Sequence, residues 1–180
     1  MAAVQRHALR LFREQGYNET TVEQIAEAAE ISPSTFFRYF ATKEDVVVND
    51  QYDGILLQAF ENQPPALSPL QALRKVIGSA IADMPAGELE AVRERNALVM
   101  SVPELRAAAL NNLMLTMDAI AEMTARRAGR HLGDPAVRTF AGAVIGVNIS
   151  VMLYYAENPE ANMAGLFDEA LSRLEGGLVL

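Results

Sequence analysis

The chain has no cysteine, which removes disulfide frameworks, thiolate zinc sites, iron–sulfur clusters and thiol nucleophiles together and fits a reducing cytoplasm. Histidine is almost as scarce. His7 and His131 stand far apart with no carboxylate–histidine ligand spacing, so neither a metal nor a general base is expected. Strand signals are missing, because no segment alternates apolar and polar residues for long, and without a strand there is no glycine-rich phosphate loop to follow one. An excess of positive charge is absent too: 15 Lys and Arg face 23 Asp and Glu, a net −8. That balance argues against a nonspecific nucleic-acid coat, though not against a local patch. No basic, apolar, small-residue leader opens the sequence. The uncharged apolar stretch 140–156 falls just short of the roughly 20 residues a bilayer crossing needs. Asn148 and Ser150 interrupt it and Arg138 precedes it, so a helix buried in protein is expected rather than a membrane span. Neither an enzyme nor a cofactor is expected.

What the chain does contain is apolar material, 51% of 180 residues, enough for a real core and recurring at helical spacing almost throughout. The fold class is all-α, with about nine helices. Val4, Ala8, Leu11 and Phe12 mark the first, which stops at Gly16. Thr20 and Thr21 are cap candidates for a short second helix with Val22, Ile25, Ala26 and Ala29 as its stripe. Ser32 caps a third, with Pro33 at its first position, ending near Phe40. Thr42, with Asp45 three residues later, opens a long fourth helix whose apolar face is Val48, Tyr52, Ile55, Leu56 and Ala59. The proline-dense segment 63–69 follows as the clearest connector. Beyond it come stripes from Leu70 to Met84 and from Leu89 to Met100, a helix from Glu104 to about Ala128, one from Ala136 to Ala156, and a last one after Asn158-Pro159.

Residues 21–40 are the informative stretch. Two short helices joined by a three-residue turn make a helix-turn-helix, which sets the start of its second helix at base edges in the major groove. Ser32, Ser34, Thr35, Arg38, Tyr39 and Lys43 supply small donors and phosphate-reaching groups there, while Phe36 and Phe40 anchor the helix inward. Ala8, Leu11-Phe12, Gly16-Tyr17, Thr20-Thr21-Val22, Ile25-Ala26, Ser32, Thr35, Phe37-Arg38-Tyr39-Phe40 and Lys43-Glu44 together resemble the DNA-binding domain of the tetracycline-repressor (TetR) family over Val4 to Val47. The resemblance implies a homodimeric, mostly repressing transcription factor. It would have a helix-turn-helix DNA-binding domain at 1–47 and a helical effector-binding and dimerisation domain at 48–180. It places Thr21 as a phosphate-contacting cap, Ser32, Pro33, Ser34 and Thr35 at the base-facing start of the recognition helix, and Phe37, Arg38 and Tyr39 along the groove and backbone. Lys43 resembles the family's lysine against a phosphate. Three departures stand out. Glu30 occupies the turn position usually held by glycine, so a non-glycine residue is expected at positive φ. Phe37 replaces a frequent tyrosine, losing one hydroxyl. There is no Lys/Arg-rich arm, and residues 1–48 hold five cations against seven acids, so nonspecific affinity is expected to be modest.

Within 48–180 the expected effector is a small hydrophobic or amphiphilic molecule. Asn96 and Asn148 sit on otherwise apolar helical stripes and need partners inside the fold; with Met100, Asn111, Met114, Met117 and Met152 they are the candidate contacts. The helix from Ala136 is apolar around most of its circumference, so Phe140, Gly142, Gly146 and Ile149, with Met163, Phe167, Ala170 and Leu174 of the last helix, are expected at a homodimer interface. The expected partners are therefore double-stranded operator DNA, an apolar effector and a second copy. The alternative is a TetR-fold carrier or sensor that no longer binds DNA.

Overall fold

A computed structural model describes residues 1–49, 53–158 and 160–178; Tyr52 and Pro159 lie outside these. The described residues form ten helices and no strand: α1 (Ala2–Gln15), α2 (Val22–Ala28), α3 (Pro33–Tyr39), α4 (Asp45–Val48), α5 (Asp53–Glu61), α6 (Pro69–Ala82), α7 (Ala86–Ser101), α8 (Pro103–Ala128), α9 (Pro135–Glu157) and α10 (Met163–Glu175). They sort into two compact units, Met1–Gln51 with Ala97–Asn112, and Tyr52–Asn96 with Leu113–Leu180.

In the first unit α1 packs on α2 and α4, and α2 on α3. Local signals fix these ends. Gly16, at φ 91, closes α1 with its N–H on the Phe12 carbonyl. Thr21 and Gln24 form a reciprocal capping box at the start of α2. Ser32 accepts from the Thr35 amide, with Pro33 following it. The core joins Val4, Ala8 and Phe12 to Tyr17, Ile25, Phe36, Phe40, Val46 and Val47, and Leu105 of α8 completes it.

Glu30 adopts φ 55, as expected from the missing glycine. It sits just past α2, where its N–H reaches the Glu27 carbonyl (3.0 Å) and that of Ile31 reaches Ala26 (2.9 Å). These two bonds make a helix-ending motif that demands a left-handed residue, and a side chain there costs about 1 kcal/mol or more. Glu30→Gly is accordingly expected to raise stability by about 1 kcal/mol in chemical denaturation. A destabilised variant would show that Glu30 makes compensating interactions.

The long fourth helix expected from Thr42 is interrupted. Thr42 and Asp45 do cap each other, but α4 ends at Val48 and Asn49 is extended (φ −72, ψ 116). Two side chains take the carbonyls that would have continued the helix: Gln5 Nε2 donates to Asn49 O (2.9 Å) and Asn112 Nδ2 to Val48 O (3.1 Å). Three consecutive β-branched valines give the helix little propensity with which to resist. Helix count thus rises from nine to ten.

In the second unit α10 packs against α6 and α9, and α5 against α6. One cluster gathers Phe60, Ala72, Leu73, Val76, Ile120, Ala121, Met123 and Val137. Another joins Val151 and Tyr155 of α9 to Met163 and Phe167 of α10. Ser68 with Gln71, Asp134 and Asn162 cap α6, α9 and α10.

Candidate nucleic-acid interface

The short third helix is divided by chemistry. Phe36 and Phe40 are fully buried, their rings 5.2 Å apart, and tie α3 to the core. Ser32, Pro33, Ser34, Phe37, Arg38 and Tyr39 are exposed, and Thr35 is half-buried. Ser32 Oγ is the hub at the helix start, within hydrogen-bond distance of Ser34 Oγ (2.8 Å), Thr35 Oγ1 (2.9 Å) and the Thr35 amide (3.1 Å). Three hydroxyls are thereby held in one place on a helix whose rear is locked. Phe37 keeps its ring edge-on to Phe36 at 5.5 Å while remaining 52% exposed. The Arg38 guanidinium lies 5.2 Å over the Tyr39 ring, which presents a cation and a phenol side by side. Thr21 is exposed as the cap of α2.

Lys43 stands differently from a solvated cation. Its ammonium donates to Tyr17 O (2.9 Å) and Thr20 O (3.1 Å) and lies 3.9 Å from the centroid of the Tyr17 ring. Tyr17 in turn donates its hydroxyl to Glu44. Burial first, and then Glu44, push the Tyr17 hydroxyl far above its ordinary range. Burial would raise the Glu44 carboxyl, but the hydrogen bond from Tyr17, its backbone and Thr42 contacts and the adjacent Lys43 charge hold it below the usual range. Tyr17 and Glu44 carried no role in the sequence reading. The pairing of a tyrosine and an acid 27 residues apart leaves no local signal, although both lie within the stretch that resembles the family.

The effector candidates are not all alike. In the second unit Asn96 finds an internal partner, donating Nδ2 to Met152 Sδ at 2.9 Å. Met117 packs against the larger core and Asn148 is half-buried. Met114 is exposed, as are Met100 and Asn111 of the first unit. Among the described residues no three His, Asp or Glu side chains converge as metal ligands.

Of the expected interface residues, Gly142, Gly146 and Ile149 are exposed on α9, and Phe140, Ala170 and Leu174 are half-buried. Met163 and Phe167 are buried within the chain's own core, against Val151 and Tyr155, so these two pack inward rather than toward a partner. A helical stripe marks a buried face without saying which neighbour buries it. By length and composition α9 is the one described helix apolar enough to cross a membrane. Leu153 and Tyr154 extend its exposed face, and Ser150, Leu166, Glu169 and Arg173 line a shallow open cleft beside α10.

Residues 6–49 match the family model of bacterial regulatory proteins of the TetR family, and residues 67–179 match that of the MftR C-terminal domain. The HTH-type transcriptional regulator TcmR of Streptomyces glaucescens is 40% identical over 136 residues, which are 72% of this chain and 60% of TcmR. The match thus spans less than two thirds of that relative's length. Thermus thermophilus FadR, a TetR-family transcriptional repressor solved in complex with lauroyl-CoA, is 25% identical with a TM-score of 0.62, covering 99% of this chain and 95% of its own. Bacillus subtilis FadR, solved with stearoyl-CoA, shares the fold at 19% identity and a TM-score of 0.63 over 98% of each chain. With a helix-turn-helix that presents its hydroxyls outward and holds Phe36 and Phe40 inward, and with both parts of the chain matched by models of one family's regulators, the chain belongs to the TetR family of bacterial regulatory proteins.

Proposed function

We propose that this chain is a ligand-responsive DNA-binding transcriptional regulator, a cytoplasmic repressor released from its operator by a hydrophobic or amphiphilic small molecule. The start of α3 carries this reading: Ser32, Pro33 and Ser34 are exposed, the half-buried Thr35 is bonded to Ser32, and Phe37, Arg38 and Tyr39 follow on the exposed side. Small hydroxyls allow close approach to base edges, and the cation and phenol beyond them reach phosphate oxygens. Thr21 serves at a phosphate beside it. Gel shifts with duplex DNA from the region flanking the gene, at two salt concentrations, test the assignment. Binding falls steeply with salt if phosphates dominate. Thr35→Ala is expected to change sequence preference. Unchanged preference in that variant contradicts the placement of α3. The seven acids of residues 1–48 favour the other reading, a carrier that keeps the fold without DNA, and failure to bind any duplex would support it.

The effector acts by binding one conformation better than the other, since tight binding to both shifts nothing. Asn96, Met152, Met117 and Asn148 supply its contacts in the second unit, with Met100, Asn111 and Met114 further candidates. The acyl-CoA complexes of the FadR neighbours support a long-chain, amphiphilic class. Thermal-shift screening of acyl thioesters against highly charged, chainless ligands tests this, and stabilisation by the latter alone would contradict it.

The working form is a homodimer across the exposed face of α9, where Gly142 and Gly146 permit close helix approach beside Phe140 and Ile149, flanked by Ala170 and Leu174 of α10. A side chain at Gly146 meets nothing within 4 Å in the single chain. Gly146→Arg is therefore expected to keep its helix content while sedimenting as a monomer or aggregate. A variant that dimerises like the natural protein would place the interface elsewhere.

A further inference from the structure

We propose that Asn96 is a specificity-determining residue for the effector, selecting one with an acyl carbonyl by passing a side-chain N–H from the Met152 thioether to that oxygen; this rests on the effector reading above. Leu89, Val92 and Asn96 recur at helical spacing on α7 and so share one face. Leu89 and Val92 pack partly buried against a core cluster that includes Val151 and Tyr155, as does Met152 of α9. Asn96 is half-buried at the end of that row, where its Nδ2 donates to Met152 Sδ at 2.9 Å.

This pairing joins a strong donor to a weak acceptor. A carbonyl oxygen offers two good lone pairs, whereas a thioether sulfur accepts poorly. Half-buried on an apolar face, the amide has limited access to water, and the sulfur compensates little of what burial takes from it. An acyl carbonyl entering beside Asn96 makes up that deficit. An alkyl chain without one leaves it standing. Met152 suits the exchange, because its unbranched side chain has three rotatable bonds and swings aside without displacing α9.

The surroundings fit a chain attached to such a carbonyl. Asn148, also half-buried, stands one turn before Met152 on the same face of α9. Val144 just before it belongs to the larger core of the unit and Val151 just after it to the smaller, while Ile77 of α6 packs against both. An alkyl tail laid on these apolar residues carries a carbonyl at its head to the amide, so one bond there distinguishes an acyl chain from a plain hydrocarbon.

The test uses the full chain with lauroyl-CoA and S-dodecyl-CoA, which differ only in the acyl carbonyl. Calorimetry on the natural protein is expected to show the thioester bound about fivefold more tightly than the thioether. Asn96→Leu completes the apolar row and is expected to fold normally, to bind S-dodecyl-CoA within about twofold of the natural protein, and to lose the preference for the thioester. Met152→Leu frees the Asn96 N–H from its sulfur and is expected to raise lauroyl-CoA affinity about threefold, with S-dodecyl-CoA unchanged. Equal binding of the two probes by the natural protein overturns the proposal, as does a preference retained in Asn96→Leu. Lauroyl-CoA affinity unmoved by Met152→Leu overturns the exchange, since the sulfur would then be no competitor for the N–H. If neither probe binds the natural protein, the effector reading itself fails and takes this inference with it.

Discussion

Leu105→Ala is expected to lower stability by about 3 kcal/mol, as a cavity in the core of the first unit rather than a surface change on α8. Leu105 is fully buried, and the cluster it completes is built from the helix-turn-helix itself: Phe12, Ile25, Phe36, Phe40 and Val46. Leu98, Val99 and Val102 pack partly buried against the same cluster. Removing three carbons from a site with no exposure leaves space that close-packed neighbours fill only in part. Urea denaturation followed by circular dichroism measures the loss directly. The same substitution is expected to weaken duplex binding, since Phe36 anchors α3 in this core. A Leu105→Ala variant within 0.5 kcal/mol of the natural protein, the range of ordinary surface changes, would show that residues 97–112 are not part of the unit.

That dependence could not be read from the sequence, and the reason is physical. Caps, turns and periodicity act within a few residues, so Thr21 with Gln24, Ser32 with Pro33, and the outward and inward faces of α3 were all legible. The positive φ at Glu30 was legible because a missing glycine leaves the backbone demand in place. Contacts formed across the fold were not. The break at Asn49 depends on Gln5 and Asn112, which no window of sequence joins to it. Lys43 reads as an ordinary cation until Tyr17 and Thr20 are placed beneath it. Met163 and Phe167 make a clean apolar stripe whichever neighbour covers them, and the choice between partner and self belongs to packing.

Arg127→Met is expected to cost about 2 to 3 kcal/mol, more than a partly exposed arginine ordinarily contributes, because one guanidinium here serves a whole connector. Its donors reach the carbonyls of Phe60 (3.5 Å), Gln63 (3.2 Å), Leu67 (3.2 and 3.3 Å) and Pro64, and its Cζ lies 5.3 Å from the Phe60 ring centroid. The need for such a group is set by composition. The last carbonyls of α5 have no helical donor, and in 63–69 three prolines supply no N–H at all, so acceptors outnumber donors. Met fills the space of the stem but leaves the Gln63 and Leu67 carbonyls to water, and those of Phe60 and Pro64 with only the amides of Gln63 (3.1 Å) and Leu67 (3.1 Å). Lysine separates charge from geometry: its ammonium is a compact point donor that lacks the planar fork, so Arg127→Lys is expected to recover less than half of the loss. Denaturation of both variants, with limited proteolysis at 63–67 as a local readout, decides the matter. A lysine variant as stable as the natural protein would mean that charge alone suffices. A methionine variant equally stable would mean that water satisfies the connector as well as arginine does.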